Sequence, residues 1–258
     1  MQSEESFSYD RVHHYPDLLR RWRKISRAAG LKMSKIISSD GLPVYEVRSP
    51  ALTQTNGIYL SAGIHGDEAA GVEGLARWAE VNLRQLSSLP LIFFPCLNPW
   101  GLIHNSRNSQ SGDDLNRSWG GSGNLLTSAV QNRIRGMSFQ LSLNLHEDYE
   151  GNGVYLYELT RGRAHPSLGE IILKSAAKII VPDSRELIDG RKAKDGIIRP
   201  RPRNILPDEM PEALFLFKQH ADQSYTLETP SEFDFQGRAD AQFRMIHTAL
   251  KLSLIHIS

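Results

Sequence analysis

Residues 57–68 read GIYLSAGIHGDE, and the chain runs on as DEAAGVEGLARWAEVNLRQL from 67 to 86. The first seven positions (57–63) have the length and apolar content of a strand covered on both faces. The segment 67–86 reads as the helix that follows, so strand passes into helix across His65–Glu68. Gly63 and Gly66 let the backbone turn tightly between them. A buried strand feeding a helix is the repeating unit of sheets with helices packed on both faces.

Working outward, the same alternation recurs. Residues 91–97 (LIFFPCL), 139–145, 153–159 and 223–228 read as strands. Helices are expected at 16–29, near 125–136, near 166–180, at 212–220 and at 235–251. Two shorter strands, 33–38 and 43–49, flank Asp40-Gly41, a hairpin signal. Residues 98–124 are rich in Gly, Ser and Asn, too polar and too long to be a mere connection. Residues 181–211, Pro-rich and charged around Arg199, Arg201 and Arg203, carry no readable element. The expected fold class is α/β: a single domain over 1–251, a mixed, mostly parallel twisted sheet with helices on both faces. Ligands of such sheets bind outside the carboxyl ends of the strands.

The 258 residues, 40% hydrophobic and 23% charged, are enough for a sizeable core. A net charge of +1 directs nothing toward nucleic acid or an anionic membrane, so neither is expected as a partner. A single cysteine, Cys96, rules out an intrachain disulfide; beside Phe93, Phe94 and Leu97 it reads as packing. The opening MQSEESFSYD lacks the basic and apolar regions of a secretory signal, and no apolar run reaches the roughly 18–20 residues of a membrane span. A soluble, cytoplasmic protein is the expectation. LSLIHIS (252–258) matches the translation of a common transposon-based sequencing adaptor and is read as a non-native tail, the alternative being an apolar extension of the last helix.

His65 at a strand end and Glu68 in the first helical turn can aim imidazole and carboxylate at one point, and both are zinc-ligand types. The plain alternative is a core histidine plus a carboxylate favoured by the helix dipole. A third ligand is offered by His146, which ends a strand where Leu141, Leu143 and Leu145 alternate with Ser142 and Asn144. Glu147 and Asp148 beside it stand to satisfy or orient its ring.

HGDE (65–68), NPWG (98–101), Arg107, DLNR (114–117), LHE (145–147) and ETP (228–230) occur in an order that resembles the zinc metallocarboxypeptidases. That group extends to the succinylglutamate desuccinylases, aspartoacylases and murein-peptide amidases, and the motifs run from residue 57 to about 232. The resemblance implies one zinc ion per chain on His65, Glu68 and His146, with a coordination position left open. It implies Glu228 as general base, Asn116 and Arg117 as the grip on a substrate carboxylate, and Arg107 as the group polarising the scissile carbonyl. Arg117 and Arg133 compete with Arg107 by position, and Asp113 and Asp114 stand to orient Arg117.

Departures from the family pattern are Trp100, where many members carry Asp, and the lack of an evident substrate-capping tyrosine; Tyr155 and Tyr157 are candidates by position alone. His13, His14, His104, His165, His220 and His247 read as surface or structural. The expected function is a zinc-dependent metallocarboxypeptidase cleaving a peptide or amide bond next to a free carboxylate. Alternatives are an N-acyl amino acid deacylase or a murein-peptide amidase, and, in another class, an inactive peptide-binding domain. The complete ligand set plus Glu228 argues against the last.

Overall fold

The computed structural model describes residues 12–121, 124–162, 167–201 and 209–255. His165, Arg203 and tail residues 256–258 lie outside them. Ten strands form one sheet: β1 (Lys32–Ser39), β2 (Leu42–Arg48), β3 (Gly57–Ala62), β4 (Leu91–Phe94), β5 (Phe139–Asp148), β6 (Tyr155–Thr160), β7 (Leu187–Ile188), β8 (Arg191–Lys194), β9 (Ile197–Ile198) and β10 (Gln223–Pro230). Their spatial order is β1-β2-β4-β3-β5-β10-β6-β9-β8-β7. The central run β4-β3-β5-β10 is parallel, as is β6-β9; the other pairings are antiparallel. The sheet is mixed as expected, with its parallel character concentrated at the centre, where helical crossovers cover both faces.

The helices are α1 (Tyr15–Ala29), α2 (Ala69–Val81), α3 (Leu83–Leu86), α4 (Pro99–His104), α5 (Leu125–Ile134), α6 (Leu168–Ala176), α7 (Glu212–Gln219) and α8 (Phe235–Ile255). Strand alternation sorts the interior into two cores. Ile58, Leu60, Leu141, Leu143, Leu145 and Leu227 meet α1, α2, α6 and α8 on one face. On the other, Tyr59, Ile92, Phe94 and Phe139 meet α5 and α7. The polar positions between the leucines of β5 are therefore as buried as the leucines: Ser142 and Asn144 are both 0% exposed.

Two stretches without a reading from sequence contain regular structure. Asn98 caps α4 by accepting from the Gly101 N–H at 2.9 Å, inside the Gly/Ser/Asn-rich segment. The charged segment after 181 forms β7, β8 and β9 through turns at Asp189-Gly190 (φ 49° and 65°) and Asp195-Gly196 (φ 51° and 75°). These repeat the Asp40-Gly41 turn (φ 52° and 78°), where both central residues need positive φ. The Asp-Gly signal was present all three times.

Helices α2 and α8 cross at Gly74, where an added Cβ would sit 2.6 Å from Cβ of Gln242 and 2.9 Å from the Ala239 carbonyl oxygen. Gly74→Ala would gain roughly 0.5–1 kcal/mol of helix preference. Overpacking of that closeness costs about 1–3 kcal/mol. The contact should win, so the variant is expected to unfold at lower urea than wild type. A midpoint equal or higher would contradict this crossing.

Candidate metal centre and substrate cleft

Parallel pairing brings three chain segments to one edge. In β5 and β10, His146 lies directly opposite Glu228. Next door, β3 ends at Ala62 and the chain reaches His65 within three residues. Gly63 turns there with φ 61°. At Gly66 the backbone runs against α4 so closely that a Cβ would lie 1.9 Å from the carbonyl carbon of Gly101. Only glycine fits, which ties the HGDE and NPWG motifs together mechanically. Asn98 completes the junction: its N–H donates to the Gly63 carbonyl at 2.7 Å, and its Nδ2 donates to the carbonyls of Arg107 (3.4 Å) and Asn108 (3.1 Å).

His65, Glu68 and His146 converge in the space so formed. They are 2%, 4% and 3% exposed, and their candidate ligand atoms all lie within 4.8 Å of one another. Nδ1 of His65 is 2.5 Å from Oε1 of Glu68, and Nδ1 of His146 is 2.8 Å from Oε2. Nε2 of His65 donates to Asp114 at 3.0 Å. The Arg107 guanidinium sits over the group, 3.4 Å from Glu68 and 3.1 Å from Asp114.

These charges govern one another. Burial disfavours charge on His65, but Glu68 and Asp114 outweigh it and push its pKa up to about 9. Burial likewise opposes ionisation of Glu68, yet the two histidines hold its carboxyl well below the usual range. Glu228 is pushed up to about 8 by burial, with His146 pulling down and Glu68 and Asp148 pushing up. Two imidazole nitrogens and a carboxylate drawn together around positive charge are a donor set suited to a divalent transition metal.

The expected residues fall out as follows. Asn116 and Arg117, on a short turn of 3-10 helix (Leu115–Arg117), line the same cavity as the histidines, Arg107 and Glu228, with a volume of about 280 Å³. Arg133 is removed from competition, since it pairs with Glu46 beside β2. Asp114 serves His65 and Arg107 rather than Arg117, and Asp113 accepts from Ser111. Arg117 hydrogen-bonds the Asn116 carbonyl at 3.2 Å; its charge also helps hold the Asp114 carboxyl low, but among the described residues it makes no hydrogen bond to a carboxylate.

Glu147 and Asp148 do not hydrogen-bond the His146 ring. Glu147 points to the other face, accepting from the Ala70 N–H at 2.7 Å and from Arg238 at 2.5 Å. Burial carries its pKa up to about 7 against Arg238. Asp148 accepts from the Tyr155 hydroxyl at 3.0 Å, and Asp189 from the Tyr157 hydroxyl at 2.7 Å. Both tyrosines line the cleft. Cys96 is 2% exposed with its thiol pushed up to about 12 by burial, which fits inert packing. Asp114, expected beside Arg117, instead hydrogen-bonds His65 and Arg107, and the wall of the cleft supplied by Asp189 and Arg191 on the β7–β8 hairpin was missed from sequence.

Residues 54–171 match the succinylglutamate desuccinylase/aspartoacylase catalytic domain family. A Shewanella baltica structure assigned as a metallopeptidase superposes with a TM-score of 0.84 at 18% identity, covering 94% of this chain and 93% of that one. The chain has the fold of such metallopeptidase structures. Carboxypeptidase A of Helicoverpa armigera shares the fold (TM-score 0.68, 15% identity, 98% of this chain and 76% of that one). So does a Pseudomonas aeruginosa metallo-carboxypeptidase solved with (2-guanidinoethylmercapto)succinic acid (TM-score 0.63, 16% identity, 93% and 68%). No curated protein matches the chain significantly in sequence. Among the described residues, no helix is long and apolar enough to cross a membrane.

Because His65 holds its proton up to about pH 9 without metal, uptake of a metal ion at neutral pH must displace that proton. Apparent affinity should rise with pH, by up to about tenfold per unit for this proton, and level off above its pKa. Titrations between about pH 6 and pH 8 in buffers of different ionisation enthalpy test this; unchanged affinity with no proton release would contradict it.

Proposed function

We propose that this protein is a metallohydrolase, a zinc-dependent carboxypeptidase hydrolysing a peptide or amide bond next to a free carboxylate. The observation that carries the reading is the shared cleft: His65, Glu68 and His146 at one point, Glu228 beside them, Arg107, Asn116 and Arg117 along the wall. His65, Glu68 and His146 would hold one zinc ion per chain. The chemistry such an ion supplies is Lewis-acid polarisation of a carbonyl and acidification of water.

The side chains divide the remaining work. Glu228 takes a proton from the attacking water and returns it to the leaving amine, a task suited to a carboxyl poised near neutrality. Asp114 fixes the His65 ring through Nε2, leaving Nδ1 directed at the metal position. Arg107 stabilises the oxyanion that develops as the carbonyl is attacked. Asn116 and Arg117 grip the substrate carboxylate, and because Arg117 hydrogen-bonds no carboxylate among the described residues, its planar fork is available for one. The substrates are peptides or N-acyl amino acids.

The match over 54–171 favours a second reading, deacylation of an N-acyl amino acid, which uses the same machinery on a smaller acyl group. A screen of blocked dipeptides against N-acyl amino acids with zinc-loaded protein separates the two.

Glu228→Gln keeps the shape and removes the base. Zinc content by elemental analysis should be retained while turnover drops by roughly 10²–10⁴. Undiminished turnover would take Glu228 out of the mechanism.

The two arginines should differ in kind. Arg117→Ala loses a charged hydrogen bond made to bound substrate and transition state alike, costing about 1.5–3 kcal/mol and acting mainly through KM. Arg107→Ala loses a partner for charge that appears only during attack, so kcat should fall by about 10²–10³. On a substrate whose terminal carboxylate is amidated, Arg117→Ala should cost little more, whereas Arg107→Ala keeps its full effect. Efficient cleavage of the amide by wild type would mean that the carboxylate grip is not used, and an endo-acting or amidase reading would replace this one.

A further inference from the structure

On the side of the sheet covered by α7, polar side chains form a column beneath the metal position. Tyr59, Ser142 and Ser224 share one register level of β3, β5 and β10; Ser61, Asn144 and Thr226 share the next; His146 and Glu228 share the last. The column is bonded across the strands, Ser142 Oγ to Ser224 Oγ at 2.7 Å and Asn144 Nδ2 to Ser61 Oγ at 2.9 Å. Glu212, the first residue of α7, adds a carboxyl to it. Tyr59 and Glu212 are both 0% exposed, and the Tyr59 hydroxyl donates to Glu212 Oε1 at 2.5 Å. No guanidinium or ammonium pairs with this carboxyl among the described residues, so its burial is costly and the tyrosine is its main offset.

The same residue reaches the substrate side through its backbone. Pro211, at the N-cap of α7, offers no side-chain cap. The Glu212 N–H instead donates to Oδ1 of Asn116 at 2.9 Å. A second bond, Trp119 N–H to the Met210 carbonyl at 3.2 Å, joins the same two segments. With Oδ1 of Asn116 occupied by a donor, the amide has one orientation, and the group it has left for a ligand is the Nδ2 donor. A carboxylate needs that donor.

We propose that Glu212 is a positioning residue for substrate recognition. Anchored by Tyr59, its side chain fixes the start of α7, and the first N–H of α7 locks Asn116 with its donor available to a carboxylate beside Arg117. This rests on the reading of Asn116 and Arg117 as the carboxylate grip.

The test uses the full zinc-loaded chain and the fastest-cleaved acid from a set of N-benzoyl dipeptides and N-acetyl amino acids, paired with its carboxamide. Tyr59→Phe should raise KM for the acid by about 3- to 10-fold with kcat held within about twofold. KM for the carboxamide should move by less than about twofold. Glu212→Gln keeps an acceptor for Tyr59 and should behave as wild type, whereas Glu212→Leu, which removes the buried carboxyl outright, should repeat the Tyr59→Phe shift. Should one of these two fail to fold, the other carries the test. A lower melting temperature with unchanged KM for the acid would make the role purely structural and overturn the proposal, as would equal KM shifts on acid and carboxamide. Arg117→Ala is the reference. If it raises KM and the Tyr59 and Glu212 variants do not, this proposal alone fails; if Arg117→Ala has no effect, the carboxylate grip fails and takes the proposal with it.

Discussion

The parallel register of β3, β5 and β10 is the constraint from which the site follows. Three strands running the same way end at one edge, so whatever follows each of them is delivered to the same place. Here that delivers His65, His146 and Glu228, while Glu68 stands at the N-cap of α2, just before the helix that follows β3. The result is electrostatically demanding. Glu68 and Glu228 are both buried and raise one another's cost of ionisation, with Asp148 adding to the repulsion at Glu228. His65, His146 and Arg107 supply the offsetting positive charge. A dication at the point where the ligand atoms meet would do the same job more completely, because it is the largest local charge such a site can hold.

Support for the arrangement comes from both faces of the sheet. On one, Glu147 caps the first turn of α2 through the Ala70 N–H and pairs with Arg238 of α8, so the helix carrying Glu68's neighbours is tied to the strand carrying His146. A buried pair of this kind contributes little net stability while intact, yet loss of either partner leaves an uncompensated charge. On the other face, the polar column under α7 replaces apolar packing with hydrogen bonds that fix strand against strand. The third support is steric: glycine at 66 lets its backbone approach that of α4 to a distance no side chain would permit, and glycine at 101 leaves room for the Asn98 side chain and the Ser106 carbonyl.

Much of the fold was legible because its signals are local. Helical spacing in 16–29, the Leu alternation of 141–145 and the Asp40-Gly41 turn each follow from a few neighbouring residues, and α1, β5 and the β1–β2 hairpin formed there. The β7–β9 strands escaped because the shortest have two residues, too few for periodicity to register, although their Asp-Gly turns were readable. Within the site, the motifs named His65, Glu68, His146, Asn116, Arg117, Arg107 and Glu228, and all seven line one cleft.

By itself the sequence determined the longer strands and helices, and which residues are candidates for metal ligands, base and carboxylate grip. Only the tertiary structure decided how they are partnered. Asp114 hydrogen-bonds His65 and Arg107 rather than Arg117, Glu147 faces α2 and α8 and not the imidazole beside it, and Glu212 bonds Tyr59 across an interval of 153 residues. A hydrogen bond is directional and closes at about 3 Å, so its partner is set by where strands and helices are packed in space. Spacing along the chain carries no record of that.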